Sequence, residues 1–235
     1  MRLLLISNST NQGEPYLWHA REKIQEFLGP SAVRLLFIPY AAVTFSFDEY
    51  EAKVSERFRE MGHEIVSIHR FENPAKAAAD AEVIVTGGGN TWKLLKMLRG
   101  NNLIEVVREK VMTGTPYIGW SAGANVACPT IMTTNDMPIM HPGSFSAFNL
   151  VPFQINPHYL DFNPAGHAGE TREQRIIEFI EENPDVWVTG LREGTMLLVE
   201  NTEIHLIGPR KARIFRKGHQ PLELGEEENL TFLMR

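Results

Sequence analysis

Strand-length apolar runs alternating with helix-length segments predict an α/β fold: an open, mostly parallel sheet with helices on both faces, and short strands and hairpins at the C-terminal end. Three observations carry this expectation. The first half of the chain alternates strand-like and helix-like segments. Its strand candidates are continuous apolar runs such as Leu3-Leu4-Leu5-Ile6 and Val83-Ile84-Val85, as strands buried on both faces require. The last fifty residues carry short strand-like runs separated by turn residues.

In chain order, residues 3–7 read as a strand, 15–28 as a helix, and 33–38 as a second strand ended by Pro39. A helix over 47–61 stops at Gly62, and a short strand follows at 65–68. Next come a short helix at 75–80, a strand at 83–85, helices at 92–98 and 103–112, and a strand running into Ser121. Beyond Cys128 six prolines, from Pro129 to Pro164, break the alternation into loops, which is where a rigid sheet carries its site residues. One helix returns at 171–182, with Thr171 and Gln174 spaced as a capping box, and strands are expected near 187–189, 196–199, 204–207 and 213–215. No repeat or linker interrupts residues 1–235, so a single α/β domain is expected.

With 43% apolar and 22% charged residues the composition is that of an ordinary globular chain. A formal charge of −6 with scattered Lys and Arg argues against nucleic acid as a partner. The apolar start, residues 1–6, is too short for an export-signal core, and no run reaches the ~20 residues that span a bilayer. The single cysteine, Cys128, forms no internal disulfide and suits a reducing cytoplasm, where the protein is expected. No membrane partner is expected.

Gly119-Trp120-Ser121-Ala122-Gly123 is a G-x-S-x-G, the pattern of a serine lifted on a sharp strand-to-helix turn, which makes Ser121 a candidate nucleophile. The plainer alternative is a tight turn whose serine caps the helix. One strand earlier, Gly87-Gly88-Gly89-Asn90-Thr91 combines backbone freedom with a helix start, suiting a developing oxyanion or a phosphate. A full G-x-G-x-x-G and a Walker lysine are both missing, which disfavours phosphate.

A serine nucleophile requires an imidazole and an acid that orients it. Of eight histidines, His141, His158 and His167 lie in loop-rich sequence, and His158, stiffened by Pro157, is favoured. His167 sits in a loop with Gly166 and Gly169, which suggests mobility, and the sequence leaves open whether that loop closes over substrate. Asp136 and Glu193 are both placed to orient an imidazole, and the choice between them stays open; a turn acid, or for Glu193 an ion pair with Arg192, is the ordinary alternative. Cys128, seven residues after Ser121, is expected to be packed beneath the site, two helical turns on.

Taken together, Ser7 to Thr10, Val85 to Thr91, Ile118 to Asn125, Cys128-Pro129-Thr130, Thr133 to Ile139, Gln154 to His158 and Gly169 to Arg175 resemble the dipeptidase E family of bacterial aspartyl dipeptidases, over essentially the whole chain. The resemblance implies a flavodoxin-like core similar to the class I glutamine amidotransferases, and a cytosolic serine peptidase that cleaves dipeptides with N-terminal aspartate, without metal or cofactor. It implies Ser121 as nucleophile, His158 as base, either Asp136 or Glu193 as acid, and the N–H groups of Gly89 and Ala122 as oxyanion hole. Arg172 is the basic residue suited to the aspartyl carboxylate, and Asn90 is assigned beside it to substrate binding. The expected partner is thus a small dipeptide; a homodimer is the assembly considered. A serine esterase, an aspartyl-polymer peptidase, or a non-catalytic small-anion-binding module are the rival readings.

Overall fold

The computed structural model describes residues 1–163, 166 and 168–235. Its elements run β1 (Arg2–Ile6), α1 (Arg21–Leu28), β2 (Arg34–Ile38), α2 (Phe47–Glu60), β3 (Glu64–Ser67), α3 (Pro74–Asp80), β4 (Val83–Thr86), α4 (Thr91–Gly100), α5 (Leu103–Met112), β5 (Tyr117–Trp120) and α6 (Ala122–Asn125). After a long loop come β6 (Gln154–Tyr159), α7 (Arg172–Glu182), β7 (Val188–Arg192), β8 (Met196–Glu200), β9 (Glu203–Ile207), β10 (Ala212–Phe215) and β11 (Leu222–Leu224).

Seven strands form one sheet in the order β3-β2-β4-β5-β1-β8-β9. The five from β3 to β1 are parallel, and β8 and β9 add to the β1 edge antiparallel. Helices cover both faces, as the apolar strand runs require. Ile24 and Phe27 of α1 and Val54 and Phe58 of α2 pack on one side with Leu4, Ile6 and Phe37. Leu94, Leu95 and Leu98 of α4 and Leu103, Val107 and Val111 of α5 pack on the other with Leu3, Leu5 and Ile84. Capping chemistry sets the helix starts: Ser46 with Glu49, and Thr171 with Gln174 as the sequence predicts, each form a reciprocal capping box.

The C-terminal strands form more than hairpins. β6, β7, β10 and β11 make a separate four-stranded sheet in the order β11-β10-β7-β6, with Ile176 and Ile180 of α7 packed against Val188 and Phe215. The chain passes from this sheet back into the larger one through the turn between β7 and β8. Strand β6 was not foreseen, because Pro157 reads as a breaker. It is tolerated because β6 is an edge strand, where a missing backbone N–H leaves no partner wanting. The helix expected at 15–28 begins only at Arg21, after a 3-10 turn at Trp18–Ala20 that follows Leu17 at φ 55°. Nor does Cys128 lie two helical turns beyond Ser121: α6 is four residues long, and Cys128 follows it in a buried turn.

Candidate active site

β5 ends at Trp120, and the next residue turns sharply. Ser121 adopts φ 53° and ψ −112°, a region that costs a non-glycine residue roughly 1–3 kcal/mol unless its surroundings fix it. They do so through the backbone: Ser121 N–H donates to Ile6 C=O at 3.0 Å, and Ser121 C=O accepts from Ala124 and Asn125, each at 3.0 Å. Gly123 must be glycine, since a Cβ there would lie 2.1 Å from Thr86 C=O. The spacing of the G-x-S-x-G is therefore a packing requirement as well as a turn requirement.

The glycine loop lies against this bend. Gly89 has φ +134°, and a Cβ on it would sit 2.4 Å from Ala41 C=O. Tyr50 O–H donates to Gly88 C=O at 2.9 Å, and Trp120 Nε1–H donates to Tyr50 Oη at 3.2 Å. Pinning that carbonyl fixes the Gly88–Gly89 peptide plane and aims the Gly89 N–H to the opposite side. Neither the Gly89 nor the Ala122 N–H has an acceptor among the described residues.

His158 arrives from the other sheet. The pairing of β6 with β7 shifts register between Pro157 and Tyr159, and His158 sits at the irregularity with φ 53°. A bulge of this kind re-aims one side chain out of the strand's alternation. Here it places Nε2 3.0 Å from Ser121 Oγ and Nδ1 2.7 Å from Glu193 Oε1. With the carboxylate accepting from Nδ1–H, Nε2 carries the lone pair and can accept the serine's proton.

Two residues that sequence reasoning quoted without a role hold this arrangement. Ser7, fully buried just past β1, donates from Oγ to Leu191 C=O at 2.7 Å and accepts the His158 N–H at 3.0 Å. The side chain of Asn8 accepts the Gly194 N–H at 2.8 Å, fixing the turn that carries Glu193. The available signal was two polar residues directly after a buried apolar strand, at the end where parallel sheets place their sites.

The two candidate acids have different surroundings. Glu193 bonds the imidazole, and its neighbour Arg192 pairs instead with Asp161 and Glu223, which raise the Arg192 pKa, so the ion pair with Glu193 does not form. Asp136 does not touch His158. Its Oδ2 accepts from Thr91 N–H at 2.7 Å, Thr91 Oγ1 at 2.6 Å and Thr134 Oγ1 at 3.2 Å, tying the loop to the start of α4. Those donors, which include a free helix-start N–H, hold the carboxylate away from the ring. Asn90, expected at substrate, is spent as the cap of the same helix: it accepts from Lys93 N–H and donates to Met137 C=O, both at 3.0 Å. Of the other two histidines, His141 lies on an exposed loop bonding Gly143 N–H, and His167 lies outside the described residues.

Arg172 opens α7, half-buried, donating from Nη1 to Asn135 Oδ1 at 2.6 Å. No carboxylate lies within 4.0 Å of it among the described residues. Burial lowers its pKa, Arg175 adds to that, and Asp136 opposes it. Ser121 and His158 lie between two cavities. One, about 300 Å³, is polar and lined by Thr91, Thr134, Asn135, Asp136 and Arg172. The other, about 650 Å³, is walled by Tyr16, Phe45 and Tyr50 with Lys53 and Glu49. Cys128 is buried, its thiol pushed up to about 12 by desolvation, and its Sγ accepts the Ile155 N–H at 3.2 Å, so it serves packing. Asp48, Glu51 and His69 cluster elsewhere, but Arg70 bridges both carboxylates there, at 2.8 and 2.6 Å.

Known proteins share this arrangement of elements. Residues 3–207 match the model of peptidase family S51. Peptidase E of Nostoc sp. is 51% identical over 233 residues, covering 99% of this chain and 96% of the relative. Peptidase E of Pasteurella multocida is 46% identical over 219 residues, 93% and 94% of the two chains. Among solved structures, a peptidase from an acI-B1 Actinobacterium superposes with a TM-score of 0.69 at 19% identity, over 97% and 96% of the chains. A putative peptidase E protein from Listeria monocytogenes gives 0.60 at 22%, over 92% and 98%. At those identities the two structures speak for the fold, while the sequence matches run through the elbow, the bulged strand and the loops between them: the chain belongs to peptidase family S51 and is a serine peptidase.

Proposed function

We propose that the protein is a dipeptidase that removes N-terminal aspartate, with Ser121 as nucleophile, His158 as base and Glu193 as the acid that orients it. The carrying observation is the hydrogen-bonded chain Ser121–His158–Glu193 opening onto a small polar cavity that holds an unpaired arginine beside an acid. N-terminal aspartate presents one ammonium and one side-chain carboxylate, and the cavity presents their complements. Arg172 reads the carboxylate: a cation at the positive end of α7, with Arg175 a turn further on, is at its most favourable only when an anion joins it. Asp136, displaced from the imidazole, keeps Oδ1 uncommitted among the described residues and takes the ammonium.

In this mechanism Ser121 Oγ attacks the peptide carbonyl as His158 Nε2 accepts its proton. The N–H groups of Gly89 and Ala122 hold the oxyanion, each worth ~3 kcal/mol. The imidazolium returns the proton to the leaving amine, the acyl-enzyme remains, and water activated by the same ring releases aspartate. Residues 1–235 act as one peptidase domain, since the site draws on both sheets. A cytoplasmic location belongs to the same reading, and the buried free thiol of Cys128 is compatible with it.

Kinetics on Asp-Leu, Glu-Leu and Asn-Leu test it. Asp-Leu should exceed Asn-Leu by about 10- to 100-fold in kcat/KM, the worth of one charge-assisted contact, and Arg172→Ala should remove most of that preference. Equal turnover of Asp-Leu and Asn-Leu by the wild type would overturn the aspartyl assignment.

A further inference from the structure

Asn135, the residue before Asp136, has no part in the mechanism above, yet its amide joins the two halves of the site. Its Oδ1 accepts from Arg172 Nη1 at 2.6 Å and from Asn156 Nδ2 at 2.7 Å, and its Nδ2 donates to Pro157 C=O at 2.6 Å. These partners fix which way the amide points: a guanidinium only donates and a carbonyl only accepts, so exchanging O and N would break the bonds at both ends. Asn156 is itself buried and anchored, donating to Thr133 C=O at 2.9 Å.

At the first end the acceptor is neutral. Among the described residues Asn135 is the only hydrogen-bond partner of the Arg172 guanidinium. An amide oxygen orients that fork without cancelling its charge, whereas a carboxylate in the same place would pair with it and leave less for an incoming anion. At the second end the amide reaches the catalytic base. Pro157 C=O and His158 N–H belong to one peptide unit, which is planar. Asn135 holds its C=O and Ser7 Oγ holds its N–H, the latter at 3.0 Å. His158 turns away from that plane at φ 53°, a conformation that persists only where the surroundings fix it, so the clamp on the plane sets the direction from which the imidazole starts.

We propose that Asn135 is a positioning residue with two tasks: its oxygen keeps Arg172 oriented and still charged for the substrate carboxylate, and its N–H holds the peptide that aims His158. The first task rests on the aspartyl-dipeptidase reading above. Selectivity and proton transfer are thereby tied to one side chain that touches neither substrate nor Ser121.

The test follows Asp-Leu and Asn-Leu in the wild type, Asn135→Ala, Asn135→Asp, Arg172→Ala and the double variant Asn135→Ala/Arg172→Ala. The ratio of the two kcat/KM values does not depend on how much of the enzyme is folded, so damage to the fold alone would not move it. Asn135→Ala should lower the Asp-Leu to Asn-Leu ratio by about tenfold, the worth of one bond to a charged group, chiefly through KM for Asp-Leu. Its kcat should fall on both substrates, by about 10- to 100-fold, as His158 loses its aim. Asn135→Asp, nearly isosteric, should lower the ratio at least as far, because the new carboxylate pairs with Arg172. In the Arg172→Ala background Asn135→Ala should leave the ratio where it is and still lower kcat. With a wild type that prefers Asp-Leu, an unchanged ratio in Asn135→Ala or Asn135→Asp, or a further fall of the ratio in the double variant, would overturn the first task. An unchanged kcat in Asn135→Ala would overturn the second, and the aspartyl reading would stand in each case. Equal turnover of the two dipeptides by the wild type would remove that reading and this one together.

Discussion

Ser121 stands at the end of the seven-stranded sheet and His158 on the edge of the four-stranded one, and both adopt φ of 53°. They are held there by different means. Ser121 is fixed through its own backbone bonds and the glycines beside it, within a few residues of chain and one adjacent strand. His158 is held by Ser7, 151 residues away in sequence, and by Glu193, 35 residues on. A strained turn can be specified locally when small residues allow close packing, whereas aiming an imidazole across two sheets needs buried polar side chains from distant elements.

The largest expected effects fall on the chemistry itself. Ser121→Ala should remove essentially all turnover with an unchanged melting temperature, since the bend is built from backbone bonds that the substitution keeps. Glu193→Gln should lower kcat by about 10³- to 10⁴-fold, as loss of the orienting carboxylate does in such triads. Asp136→Asn should act mainly on KM, through the substrate ammonium. Should Asp136→Asn instead collapse kcat and Glu193→Gln leave it intact, the division between the two acids would have to be reversed.

A middle-sized effect tests the long-range half of the comparison. Ser7→Ala leaves the His158 N–H and the Leu191 C=O without their shared partner, at a cost of about 1–3 kcal/mol of stability. If Ser7 holds the bulge, kcat should fall along with the urea midpoint, and Ser7→Thr should restore part of both. A destabilised variant with full kcat would show that the bulge keeps its aim unaided.

The smallest effect is a slope with pH. Burial lowers the pKa of His19, with Glu14, the Asn8 backbone and Glu193 opposing it, and burial lowers that of His63. Both rings therefore favour the neutral form in the folded protein. Their contribution is complete above the unfolded value of ~6.5 and is lost as pH falls below it, because the unfolded chain then binds protons more readily. Urea midpoints measured between pH 7.5 and 5.5 should decline, and His19→Gln should flatten the decline; a steeper one would place another group behind it.

Much of this was legible beforehand for a physical reason. Continuous apolar runs marked the parallel strands, and Thr171 with Gln174 announced the start of α7. The elbow at Ser121 shows in five consecutive residues because its constraint is steric and local. The cap role of Asn90 was hidden because an asparagine at a helix start serves as a cap or as a ligand with the same sequence appearance, and its bonds to Lys93 and Met137 show the cap. Strand β6 was hidden because Pro157 breaks a central strand but is tolerated at an edge or beside a bulge, and neither is visible in a sequence.

By itself, then, the sequence determined the strand and helix segments, the bend that lifts Ser121 and the small set of residues able to serve it, because propensity, capping and close packing act over short stretches of chain. The tertiary structure alone brought His158 to Glu193 rather than Asp136, and turned Ser7 and Asn8 from strand-end residues into supports. Those outcomes depend on which distant donors reach a carboxylate or an N–H first once two sheets have packed.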